Sequence, residues 1–433
     1  MFFKKGKKMV VIGIDGVPYE LLKHLAETGV MPCVKKLIEK YGLKKTKAPL
    51  PEVSSVSWTS FMTGMNPGQN GIFGFMDIDR DNYSYTFPSF RSLPVQAIWE
   101  VIGSGKSNKR SIIINLPGTY PARPMNGILV SGFVAPDLEK SVYPESLLPL
   151  LKIMNYQVDV DASIGKENKK RFLNELNHIL DCRYRFYKKM AGQKWNLFFF
   201  IITETDRLHH FLFDALENPS SEFHSGVLNY YEKIDRIIGE ITHDTEKKGI
   251  PFIILSDHGF VKIKQEVYLS QYLKEWGYLD FSMADVADGG PKNIKNITGT
   301  SKIFVLDPSR LYIHLEGKYQ RGCVKKGEYG ALRDEIKMKF LELEIEGEKV
   351  IQDVFYKEDI YHGSYLDNAP DLVLLSHYGF DLKSGITKES LYGKTFFQGM
   401  HSQDNALLID SYGFEFGEHP YIYEIGEKLQ AYF

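Results

Sequence analysis

Three short, uncharged apolar runs constrain this chain more than any other feature: VVIGI ending at Ile14, LFFFII at 197–202 and FIIL at 252–255. None alternates with polar residues, so as strands they must be covered on both faces, as in a parallel sheet sandwiched by helices. Between them the apolar spacing becomes helical, over 19–28, 31–41, 54–63, 166–191 and 227–248. Further strands are expected at 110–115, 128–131 and 406–409. This alternation predicts an α/β fold with a mostly parallel central sheet and helices on both faces. From about 261 to 393 the pattern differs: short strands at 302–305, 310–314 and 372–375, one helix at 329–342, and loops rich in Gly, Asp and Asn. The expected organisation is a core of 1–260 and 394–433, with 261–393 as a smaller inserted α+β subdomain.

At 433 residues the chain has ample material for both parts. A formal net charge of −2 offers no electrostatic footprint for nucleic acid, and no apolar stretch approaches the roughly 20 residues of a membrane span. The start, MFFKKGKKMVVIGIDG, has basic then apolar residues, but the apolar part is short and runs into Asp15 without a small-residue cleavage site. It reads as the first core strand, preceded by a lysine-rich tail. Three scattered cysteines, Cys33, Cys182 and Cys323, form neither a disulfide framework nor a metal knuckle, so a reducing, cytoplasmic setting is expected. Nothing in the sequence defines the oligomeric state.

The chemistry gathers where the apolar runs end. Asp15 follows VVIGI, Asp206 and His210 follow LFFFIITET, and Asp257 and His258 follow FIILS; His401 lies just before the last core strand. In open α/β sheets ligands bind at this carboxyl edge. Taken singly, each residue has an ordinary explanation as a cap, a turn or a surface side chain. Jointly, three carboxylates and three imidazoles at strand ends form an N and O donor set suited to divalent cations. The stretch PEVSSVSWTSFMTGM adds Ser54 at a helix start, where free N–H groups and the helix dipole favour negative charge. A helix cap is the simpler reading of that serine, and Ser55 and Ser57 compete for any nucleophilic role.

The order of these motifs resembles the type I phosphodiesterase and nucleotide pyrophosphatase branch of the alkaline phosphatase superfamily. Asp15 is followed by the Ser54 segment ending in Thr63-Gly64, Asp206-x-x-x-His210, Ser256-Asp257-His258-Gly259 and Gly399-x-His401. Trp58-Thr59-Ser60-Phe61, Leu116-Pro117-x-Thr119-Tyr120-Pro121, Val130-Ser131-Gly132 and Ala369-Pro370-Asp371-Leu372-Val373 are similar to a group of phosphohydrolases and phosphomutases from archaea and bacteria. The resemblance spans about 9–410. It implies an alkaline-phosphatase-like fold and places the nucleophile on Ser54 rather than Ser55 or Ser57. It also implies that Asp206, His210 and His401 hold one metal ion, and that Asp15, Asp257, His258 and the Ser54 oxygen hold another. Zinc is expected, with manganese or iron as alternatives. In such a site the ions sit roughly 4 Å apart and clamp an in-line displacement at phosphorus.

The implied activity is a two-metal-ion hydrolase cleaving a phosphodiester, a nucleotide pyrophosphate or a phosphomonoester through a phosphoserine on Ser54. Its substrate would be a small-molecule phosphate ester or nucleotide. The alternatives are a phosphoryl transferase or phosphomutase using the same intermediate, and a metal-binding protein without catalysis. Two positions depart from the family pattern: Ser57 replaces a phosphate-holding asparagine, and Asn70 replaces a histidine. Ser57 and Arg207 are candidate substrate contacts.

Overall fold

The computed structural model describes residues 7–105, 107–282, 293–394 and 396–433. Most of the lysine-rich tail and a short stretch of the expected insert lie outside the described residues. The chain divides into two compact units: Met1–Met65, Ser89–Lys262 and Phe396–Phe433 form the first, Asn66–Pro88 and Ile263–Thr395 the second.

The first unit is built on an eight-stranded sheet. In spatial order its strands are Lys44–Thr46, Ala406–Asp410, Phe252–Leu255, Met9–Ile14, Leu197–Ile202, Ser111–Leu116, Gly127–Ser131 and Val142–Tyr143. The middle five run parallel; Ala406–Asp410 and Val142–Tyr143 run against them, and Lys44–Thr46, antiparallel to Ala406–Asp410, runs with them again. All residues of Met9–Ile14, Leu197–Ile202 and Phe252–Leu255 are buried, as their uniform apolarity requires. Helices such as Lys169–Ala191 and His224–Lys247 contribute Leu176, Ile179, Tyr230 and Ile234 to the core around these strands. The periodic stretch 166–191 is broken at Asn168, whose side chain caps a new helix by accepting the Arg171 N–H. No described helix is long and apolar enough to cross a membrane.

The second unit has its own core. A four-stranded antiparallel sheet orders Ile303–Leu306, Arg310–Ile313, Leu372–Ser376 and Ile351–Tyr356, with the helix Tyr329–Leu341 supplying Leu332, Ile336 and Phe340. Residues 66–88, which the sequence reading assigned to the first unit, cluster here instead. Ile78 and Tyr83 are buried in this second core, and Tyr83 bonds His314 at 2.7 Å. That segment carries no strong periodicity of its own, so only long-range contacts reveal where it belongs.

Candidate active site

Every sequence-predicted metal ligand lies in the first unit, and the sheet explains how. Met9–Ile14 lies between Leu197–Ile202 and Phe252–Leu255, parallel to both, with Gly13 level with Ile201 and Leu255. The three strands therefore end at one edge, delivering Asp15, the helix Glu204–Glu217 with Asp206 and His210, and Asp257-His258. His401 arrives on Gly399–Ser402, which pairs antiparallel with Gly259–Lys262 so that His401 faces Phe260. The Phe260 ring packs on His209, His210 and His401 with centroids 5.0, 4.9 and 5.1 Å away.

Among the described residues two metal-type groups emerge, Asp206–His210–His401 and Asp15–Asp206–His258, and within each the donor atoms lie within 4.8 Å of one another. Asp206 belongs to both. In the first, His401 Nε2 lies 3.2 Å from Asp206 Oδ1 and 3.2 Å from His210 Nε2. In the second, His258 Nε2 lies 3.7 Å from Asp15 Oδ1; Asp257, outside both groups, has its Oδ2 3.3 Å from the same nitrogen.

The histidine wiring shows what such a centre suits. Nδ1 of His210 meets Gly399 O at 3.2 Å, Nδ1 of His401 meets Glu52 O at 2.9 Å, and Nδ1 of His258 meets Gly259 O at 3.0 Å. Carbonyl oxygens only accept, so each Nδ1 carries a hydrogen, and a neutral ring turns its Nε2 lone pair inward. Lone pairs and carboxylates crowded together repel unless a cation lies among them. Asp257 Oδ2 makes the same point, being buried without a hydrogen-bond donor among the described residues. Nδ1 bonded to a carbonyl and Nε2 turned toward neighbouring donor atoms is also the arrangement that prepares histidine for metal ligation.

Burial and mutual repulsion shape the titration of these groups. Burial, then Asp257 and Asp206, hold the Asp15 carboxyl well above its ordinary range. Burial above all pushes Asp257 up to about 7. Burial also opposes ionisation of Asp206, but His210 and His401 outweigh it and keep that carboxyl well below the usual range. His258 is held well below the ordinary histidine value, by burial first and then by His401. A site that penalises its own charges when empty of cations gains most from binding them.

Ser54 opens the helix Ser54–Thr63, whose N-cap is Val53, so its hydroxyl is not spent on capping. Its Oγ lies 3.1 Å from His258 Nε2 and 3.3 Å from Asp15 Oδ1. Ser55 and Ser57, buried on the same helix, have hydroxyls with no hydrogen-bond partner among the described residues. Ser57 is wholly buried. The Arg207 guanidinium is committed elsewhere: it grips both oxygens of Asp159 at 2.6–3.1 Å, lies over the Phe133 ring, and has Nη1 3.6 Å from Asp206 Oδ2.

Sequence reasoning missed the residues that hold the ligands. The Trp58 indole N–H donates to Asp15 Oδ2 at 2.8 Å. Its approach depends on Gly13, where a Cβ would come within 2.6 Å of the indole. Thr205 Oγ1 donates to the Asp15 carbonyl at 2.6 Å. A tryptophan one helical turn after the serine was the available signal. The backbone acceptors for the histidines leave no trace in sequence.

An eight-stranded α/β sheet whose carboxyl edge carries two metal-type groups beside a serine is an arrangement suited to metal-assisted chemistry. The chain belongs to the type I phosphodiesterase / nucleotide pyrophosphatase family, whose profile matches residues 9–404. It is therefore a metal-dependent hydrolase acting on phosphate esters. The fold is similar to that of phosphonoacetate hydrolase from Sinorhizobium meliloti in complex with phosphonoformate (TM-score 0.65, 13% identity, 98% of this chain and 95% of that one). Human ectonucleotide pyrophosphatase / phosphodiesterase 5 is also similar (TM-score 0.54, 15% identity, 98% and 95% covered). So is an inactive murine form of that protein in complex with AMP (TM-score 0.54, 14% identity, 98% and 94% covered). No curated protein is significantly similar to the chain in sequence.

Proposed function

We propose that the chain hydrolyses small phosphate esters, phosphodiesters or nucleotide pyrophosphates among them, by attack of Ser54 Oγ on phosphorus with departure of the alcohol or phosphate leaving group, followed by attack of water that frees the phosphoryl group and restores the serine. One observation carries the reading: Ser54 Oγ sits 3.3 Å from Asp15 Oδ1 and 3.1 Å from His258 Nε2. An alkoxide there would face a carboxylate and a lone pair, tenable only with cations among these donors. Asp206, His210 and His401 would hold one divalent ion, and Asp15, Asp257, His258 and the Ser54 oxygen the other. Zinc fits this N and O donor set, as do manganese and iron. Such ions supply Lewis-acid charge neutralisation and ease ionisation of the serine.

The chain's own groups do the rest. The helix beginning at Ser54 aims its N-terminal N–H groups and positive dipole end at the attacked group, favouring the developing negative charge. Trp58 and Thr205 fix Asp15, and the Glu52 carbonyl ties His401 to the nucleophile segment. Because Ser57 is wholly buried and Arg207 is held by Asp159, neither is favoured as a phosphate contact. The free thiols of Cys33, Cys182 and Cys323 agree with a cytoplasmic setting.

The test pairs metal analysis with p-nitrophenyl phosphate, bis-p-nitrophenyl phosphate and nucleotide substrates. Acid-quenched protein should carry a phosphoryl group on the Ser54 peptide by mass spectrometry. Ser54→Ala should lose at least about a thousandfold in kcat and keep its metal. A phosphoryl group on another residue, or an alanine variant with wild-type turnover, overturns the assignment. Capture of the phosphoryl group by added alcohol in preference to water would identify a transferase instead.

A further inference from the structure

The turn after the first strand is gripped more firmly than a ligand-bearing loop requires for packing alone. Gly16 has φ of +65°, a left-handed conformation that glycine adopts freely and that an unclamped turn would leave readily. Its N–H donates to Asp257 Oδ1 at 3.0 Å, and the Asp15 carbonyl before it accepts Thr205 Oγ1 at 2.6 Å. The Gly16 carbonyl lies 2.9 Å from His209 Nδ1, and His209 Nε2 lies 2.6 Å from the Tyr231 hydroxyl. His209 is wholly buried and Tyr231 almost so. Because Gly16 O can only accept, Nδ1 carries the hydrogen; Nε2 is then a bare acceptor and Tyr231 must donate to it. Both ring nitrogens are thus spent on one directed chain from the helix His224–Lys247 to the residue beside Asp15.

The helix Glu204–Glu217 therefore carries two i,i+4 pairs offset by one residue. Asp206 and His210 face the donor cluster, while Thr205 and His209 face the Asp15–Gly16 turn. We infer that His209, braced by Tyr231, is a positioning residue that fixes Asp15 for the second cation by holding the Gly16 carbonyl. A histidine needed only to fill space would not need both nitrogens satisfied in this order. The inference rests on the two-cation reading above, and it links the two groups: one rigid helix sets ligands in the first and the backbone of the second.

The experiment titrates metal-stripped full-length protein with zinc and manganese against a chelating dye, measuring stoichiometry and affinity, with kcat and KM alongside. Three variants are compared with wild type: His209→Leu removes the donor, His209→Asn restores an N–H near the Nδ1 position, and Tyr231→Phe removes one oxygen. His209→Leu should keep one cation and bind the other about 10–100-fold more weakly, the usual loss when a ligand's support is removed. His209→Asn should recover most of that affinity, and Tyr231→Phe should lose less than tenfold. In kinetics kcat should fall more than KM rises. Wild type with two cations and all three variants unchanged overturns this proposal alone, as does a His209→Asn no better than His209→Leu. Wild type that takes up no cation overturns the cation reading and this inference with it. Should His209→Leu fail to fold, unchanged affinity in Tyr231→Phe together with His209→Asn overturns the proposal.

Discussion

Replacing Asp257 by asparagine should make the metal-free protein more stable while crippling its hold on cations. Asp257 Oδ1 accepts the Gly16 N–H, a bond an asparagine oxygen can keep. Its Oδ2 is buried without a donor, 3.3 Å from the inward lone pair of His258. An amide N–H at that position would donate to His258 Nε2, turning a repulsion into a hydrogen bond. The carboxyl is pushed from 3.8 up to about 7, so its ionised form costs the metal-free fold about 4 kcal/mol at most above pH 7. Because the folded-state pKa is raised, the folded protein holds the extra proton between about 4 and 7. This contribution to stability is therefore lost as pH rises through that window. Asparagine removes the dependence, and after its own burial is counted the gain at pH 8 should be about 2–4 kcal/mol. For 433 residues that is a rise in Tm of roughly 2–4 °C. Calorimetry of chelator-stripped protein at pH 5 and pH 8 reads the difference, which should be larger at the higher pH. Added zinc or manganese should then raise the wild-type Tm well above the variant's. A variant less stable than wild type when both are stripped at pH 8, or an equal cation-induced rise in both, would refute the reasoning.

Cation uptake at the Asp15–Asp257–His258 group should expel protons, because burial and like charge keep Asp15 and Asp257 protonated to unusually high pH. Calorimetric titration at pH 6.5 in buffers of different ionisation enthalpy should report about one proton or more released, with affinity falling roughly tenfold per pH unit below 7. No proton release would contradict it. Trp58→Phe keeps an aromatic ring beside Phe61 but removes the donor to Asp15, so kcat/KM should fall about tenfold and stability by about 1–3 kcal/mol; unchanged kinetics would make the bond incidental. Arg183 and Glu204 form a wholly buried pair at 2.5 Å, and Arg183→Met should cost about 3–5 kcal/mol in denaturant unfolding. The double variant Arg183→Met, Glu204→Leu should recover much of that loss, and a double variant as unstable as the single one would show the pair is not the cause.

The core strands and the polar residues at their ends were legible because burial on both faces leaves an uninterrupted apolar run, and a polar pair such as Asp257-His258 at its end is conspicuous. The helix expected at 54–63 is the one observed, closed at Gly64 in a left-handed turn. Less legible was everything that depends on contacts distant in sequence. Residues 66–88 join the second core through Ile78 and Tyr83, side chains with no local pattern to announce them. Asp206 reaching both groups, and the Glu52 and Gly399 carbonyls that set the histidine tautomers, follow from backbone geometry that any residue type could supply. Nor is the role of His209 beside His210 legible, because helical spacing separates faces without saying what each face meets.

The strand Ala406–Asp410 lies between Lys44–Thr46 and Phe252–Leu255, so two early segments of the chain wait for a late one to join them. His401, just before that strand, obeys the same schedule. On the ribosome the sheet stays open along this seam, and the histidine pair stays incomplete, until the chain has grown past residue 410. A half-made protein of this design exposes a sticky edge and lacks one member of the Asp206–His210–His401 group, which is complete only once the late strand region has been made.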